Sequence, residues 1–133
     1  MTRTHLGGCH CGAIRYEADL DLSQGTLKCN CSICSKARAW LIAIDVNAFR
    51  LLKGKEALVE YQFGARQIRH LFCRSCGIKS FAIGRCPEGG EFIAVMVNCL
   101  ETLSDTELAN APVTFVNGRN DDFSAQPEVT SYL

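Results

Sequence analysis

Proline is scarce. Three occur in 133 residues, the first at Pro87, so none interrupts a strand or helix in the first 86. Net charge is also missing, because 14 Lys and Arg balance 14 Asp and Glu. That balance removes the electrostatic reason to expect nucleic acid or an anionic membrane as partner. No apolar run approaches the ~20 residues that cross a bilayer. The opening Met1-Thr2-Arg3-Thr4-His5-Leu6-Gly7-Gly8 lacks the apolar stretch of a secretion signal, so the cytoplasm is the expected compartment. Helix signals are few. Only Ser104-Asp105-Thr106-Glu107, closed by Pro112, has the spacing of a capping box and a stop.

What remains is β pattern. Ala13–Glu17 alternates, Trp40–Ile44 is a short apolar run, and Phe92–Val97 is the longest, which marks it as a central strand. Leu58–Phe63 puts Val59, Tyr61 and Phe63 on one face, and Arg66–Phe72 does the same for Ile68, His70 and Phe72. The length suits one domain over residues 1–133. The class expected is all-β, of short antiparallel strands with little helix.

Cysteine is abundant instead. There are nine. An odd count, no secretion signal and a reducing compartment argue against a disulfide scaffold and in favour of metal. Seven are grouped: Cys9-His10-Cys11-Gly12, Cys29-Asn30-Cys31-Ser32-Ile33-Cys34, and Cys73-Arg74-Ser75-Cys76-Gly77. Cys86 and Cys99 stand apart and read as inert buried thiols.

In extended backbone a C-x-C pair presents both sulfurs on one side, whereas C-x-x-C needs a tight turn. Gly12 and Gly77 follow the two-cysteine groups. A positive φ at each would turn backbone N–H groups toward the sulfurs. Glycine follows both pairs and not the triplet. This favours joining Cys9, Cys11, Cys73 and Cys76 as one closed tetrahedral zinc site, with Cys29, Cys31 and Cys34 as a second site with a free position. A redox C-x-x-C or an iron–sulfur cluster are the competing uses. Zinc suits the tetrahedral four-sulfur set best. Seven thiolates around two Zn²⁺ would leave the chain about three charges negative.

These motifs, with Ile14-Arg15-Tyr16, Phe49–Gly54, Tyr61-Gln62-Phe63-Gly64 and His70-Leu71-Phe72, make the chain similar to a known family. It resembles the glutathione-dependent formaldehyde-activating enzymes, grouped with centromere protein V, over roughly residues 7 to 100. The resemblance implies a zinc-stabilised β-tent with two zinc ions, one on Cys9, Cys11, Cys73 and Cys76 and one on Cys29, Cys31 and Cys34. It also implies a carbon–sulfur lyase type reaction joining glutathione and formaldehyde as S-(hydroxymethyl)glutathione, or the reverse. The implied partner is a small-molecule thiol.

In that reading Cys29, Cys31 and Cys34 are the catalytic set, because an ion there would take the substrate sulfur. Three thiolates on Zn²⁺ leave a net negative centre, better suited to carrying a soft sulfur than to making hydroxide. Glutathione bears two carboxylates, so its site should be basic. Arg38, four residues past Cys34, is the first candidate, ahead of Lys36, Arg66, Arg69 and Arg119. His70, His10 and His5 are the candidates for proton handling, with a core or supporting role the plainer reading of His70. Trp40 reads as core, with a pocket-lining role as the alternative. Two other functions stay open: a zinc-stabilised binding module whose trio is closed by Cys86, Cys99 or His70, and a lyase acting on a different thiol adduct.

Overall fold

The computed structural model describes residues 1–133. Ten short strands follow along the chain: β1 (Arg3–Gly8), β2 (Arg15–Leu20), β3 (Thr26–Cys29), β4 (Leu41–Asp45), β5 (Phe49–Lys53), β6 (Leu58–Tyr61), β7 (Ile68–Cys73), β8 (Phe81–Arg85), β9 (Glu91–Met96) and β10 (Val113–Val116). Two six-residue helices complete them, α1 (Ser32–Ala37) and α2 (Asp105–Asn110). The second forms where the capping box predicts it. The Ser104 hydroxyl accepts from the Glu107 amide, and the Glu107 carboxylate accepts from the Ser104 amide.

Two sheets lean on one another. The smaller has the order β1-β2-β5, the larger β10-β3-β4-β9-β8-β7-β6. The apolar run of β9 takes the middle of the larger sheet, as its length and branching predict. The β10–β3 pair is parallel, a departure from the antiparallel expectation.

Register gives the larger sheet two distinct faces. On one, Ile42, Val95, Phe81 and Leu71 lie abreast across β4, β9, β8 and β7. These residues join Tyr16, Ala18 and Leu20 of the smaller sheet in the main core. Tyr16, Phe49 and Phe81 meet there as an aromatic trio with ring centroids 4.7–5.7 Å apart. The fully buried Tyr16 hydroxyl donates to the Ser80 carbonyl at 2.9 Å, pinning sheet to sheet.

On the opposite face Ala94, Ala82, His70 and Tyr61 lie abreast. The small side chains leave room for a second, minor core of Ala39, Ala82, Ala94 and Met96, against which Cys34 and Ile68 pack. Alternation along β7 thus sends Leu71 and Cys73 to one side and His70 to the other.

Candidate metal centres and the adjoining cavity

The first two cysteines lie in the loop joining β1 to β2, a bend and not the extended segment that C-x-C spacing suggests. Of the other two, Cys73 ends β7 and Cys76 lies in the turn that follows. The sequence places these pairs on different sheets, and the fold brings them together. Sγ of Cys11 is 3.7 Å from that of Cys9 and 3.6 Å from that of Cys73. A tetrahedral ion with arms of ~2.3 Å sets its sulfurs about 3.8 Å apart, whereas a disulfide would need about 2.05 Å. All four sulfur atoms lie within 4.8 Å of one another. Gly12 and Gly77 adopt φ of 85° and 77°, the left-handed conformation expected of them.

Backbone amides surround these sulfurs. Ile14 N–H donates to Cys9 Sγ at 3.3 Å and Ser75 N–H to Cys73 Sγ at 3.4 Å. The Ile78 amide, aided by those of Cys11 and His10, draws the Cys76 thiol down to about 6. Amides from adjacent residues, first that of Cys76, lower Cys73 as well. This donor set suits a thiophilic ion that needs its ligands deprotonated.

The trio is built differently. Cys29 ends β3, Cys31 is the N-cap of α1, and Cys34 lies inside that helix. The three sulfurs fall within 4.8 Å of one another, and no histidine, carboxylate or further cysteine shares that volume. Hydrogen bonds from Cys29 and Cys34 hold Cys31 as a thiolate, down to about 2, and those two thiols are pushed up in return. The set fits a metal ion by the chemistry of its donors.

A later segment closes over the trio. Asn30 Nδ2 donates to Asn117 Oδ1 at 2.9 Å, and Asn30 Oδ1 accepts from the Arg119 amide at 2.9 Å. A Cβ on Gly118 would lie 2.4 Å from Cys29 Sγ and 3.2 Å from the Cys31 Cβ, so only glycine allows this approach. Nothing local to Asn117-Gly118-Arg119 signals that role.

A cavity of about 330 Å³ opens between the end of α1 and the segment after Cys76, lined by Arg38, Ala39, Trp40, Ile78, Lys79 and Met96 among others. Arg38 is exposed and left-handed at φ 48°, with its guanidinium donating to the Leu133 main-chain oxygen at 3.3 Å. Trp40 is half-buried against the main core and donates from Nε1 to Thr26 Oγ1 at 2.7 Å. It therefore serves core and cavity together.

The remaining candidates divide. Neither Cys86 nor Cys99 joins a cluster, and Cys99, beside the cavity, is pushed up to about 11 by burial. His10 is exposed and His5 is buried against Thr102 Oγ1 at 2.9 Å, so neither is part of a cysteine cluster. Arg69 pairs with Glu60 at 2.8 Å on the opposite face of the larger sheet. Arg119 sits over the Tyr132 ring, 6.0 Å from its centroid. Lys36 and Arg66 are exposed. His70 is buried beneath Tyr61 and Phe63, the latter stacked at 5.6 Å, and its Nδ1 lies 3.1 Å from Lys79 Nζ. Lys79, a residue that motif reading passes over, thus joins His70 to the wall of the cavity.

The profile of the glutathione-dependent formaldehyde-activating enzymes matches residues 4–117. The chain belongs to that family. A crystal structure of a Rhodobacter sphaeroides protein shares the fold, with a TM-score of 0.69 and 34% sequence identity over 82% of this chain and 99% of that one. Family membership and the two cysteine groups together give a formaldehyde-activating type of chain with two places able to hold metal ions. Residues after 117, including the Gly118 contact with Cys29, lie outside the matched family segment. No helix is long and apolar enough to cross a membrane.

Proposed function

We propose that the chain is a cytoplasmic zinc-dependent enzyme of carbon–sulfur lyase type that makes or breaks an S-(hydroxymethyl)glutathione-like adduct. The observation that carries this reading is the trio of Cys29, Cys31 and Cys34, which gathers three sulfurs with no fourth protein ligand, on and just before a helix whose end lines a cavity with Arg38. The quartet of Cys9, Cys11, Cys73 and Cys76 would hold a structural zinc. A Zn²⁺ on the trio would supply a position for a soft sulfur and keep that sulfur deprotonated at neutral pH.

The chain's own residues do the rest. Arg38 brings positive charge to a cavity whose guest carries carboxylates. Trp40, Ile78 and Met96 give it apolar walls that strengthen such contacts by excluding water. In the synthetic direction a thiolate sulfur forms a bond to the formaldehyde carbon. The carbonyl π pair moves to oxygen, which takes up one proton. The reverse returns thiolate, aldehyde and proton.

Exchange spectroscopy by NMR on a glutathione–formaldehyde mixture tests this. The zinc-loaded protein should raise the exchange rate above the spontaneous one, and Cys31→Ser should abolish the increase. No increase with the intact protein would refute the lyase and leave the zinc-stabilised binding module.

A further inference from the structure

That reaction takes up one proton, and the cavity wall that meets His70 holds a lysine. Lys79 is half-buried, yet no carboxylate lies within ion-pair distance of it. Its one hydrogen-bond partner is His70 Nδ1, at 3.1 Å. An ammonium has three N–H donors, so two are unengaged by the protein. Buried charge without a partner is costly, and the position needs a reason.

The surroundings supply one. Lys79 lines the cavity with Arg38 and Trp40, which follow directly on the helix carrying Cys34. His70 lies abreast of Ala82, and Ala82 belongs to the minor core against which Cys34 packs. Tyr61 and Phe63 shield the imidazole from water, at ring distances of 6.3 and 5.6 Å.

We propose that Lys79 is a catalytic residue of this site, giving a proton to the adduct's oxygen and taking it back, with His70 as the positioning residue that aims it. The inference rests on the lyase reading above. As the sulfur–carbon bond forms, the carbonyl π pair passes to oxygen and the Lys79 ammonium supplies the proton. The neutral amine then recovers a proton from water in the open cavity. In the reverse direction the amine removes the hydroxyl proton as the sulfur–carbon bond breaks. Burial makes Lys79 a readier donor than an exposed lysine, since it disfavours the charged form. By accepting at Nδ1, His70 is fixed as the tautomer with its proton on Nε2.

The test uses the zinc-loaded full chain with Lys79→Gln, Lys79→Arg and His70→Asn. The readouts are exchange rate, zinc content, glutathione affinity and the ¹⁵N shift of His70. Lys79→Gln should slow exchange about 100-fold, with zinc content and glutathione affinity retained. Lys79→Arg keeps the charge but cannot release a proton near neutrality, so it should stay slow. His70→Asn should show an intermediate rate and an altered pH profile. The His70 Nδ1 resonance should move when formaldehyde is added to the glutathione complex, and not with glutathione alone.

Recovery of the full rate by Lys79→Arg would overturn the proposal in favour of a plain counter-ion. A loss of zinc or of glutathione affinity in Lys79→Gln would overturn it equally. Intact acceleration in all three variants would defeat the proposal while sparing the lyase reading. No acceleration by the unaltered protein would defeat both.

Discussion

Gly118 shows how much one missing side chain decides. A methyl group there would collide with Cys29 Sγ and crowd Cys31, so Gly118→Ala must push the covering segment off the trio or distort the ligands. The predicted outcome is loss of about one zinc per chain by elemental analysis, with the quartet's zinc retained. His5 shows the other side, a residue set by burial. Burial first, then the Arg3 charge, holds its imidazole below the ordinary 6.5. The unfolded chain therefore takes up a proton near that pH that the folded chain refuses. Stability from His5 is complete above 6.5 and drains away as pH falls through the lower folded value. Urea midpoints at pH 8 and pH 5.5 should differ less in His5→Gln than in the unaltered protein, and an equal difference would remove His5 from the account. The sequence marks neither residue's role. Gly118 acts across 89 positions of chain from Cys29, and only the fold makes them neighbours.

Between elements, the two cysteine groups differ in what they join. The quartet takes one pair from the β1–β2 loop and one from the end of β7 and the turn after it, so its ion would clip the smaller sheet to the larger. The trio draws on six consecutive positions at the β3–α1 junction and clips nothing distant. Cys76→Ala should therefore lower the melting temperature sharply or prevent soluble expression, and Cys31→Ser should shift it by only a few degrees. Equal losses would make both sites structural. Much of this level was legible beforehand. The spacing of seven sulfurs, the two glycines, the central β9 and the capped α2 all follow from local pattern. The bend at Cys9–Cys11, the unforeseen α1 and the parallel β10–β3 pair do not. Metal-ligand geometry and long-range pairing override local alternation at these points.

At the scale of the molecule, the larger sheet keeps two purposes apart. One face carries Ile42, Val95, Phe81 and Leu71 into the core that holds the sheets together. The other carries alanines and His70, and so leaves space for α1, Cys34 and the Lys79 cavity. The main core and the face that carries Cys34 and the cavity thus lie on opposite sides of the same strands. The seven sulfurs divide into a group of four and a group of three, proposed as a closed and an open site. Zinc-edge X-ray absorption of the fully loaded protein measures that division directly. The division predicts about 3.5 sulfurs per ion near ~2.3 Å, with a lighter atom completing the average shell, and four per ion once Cys31→Ser has released the second zinc. Four sulfurs per ion in the unaltered, fully loaded protein, or sulfurs bonded to one another at about 2.05 Å, would contradict it.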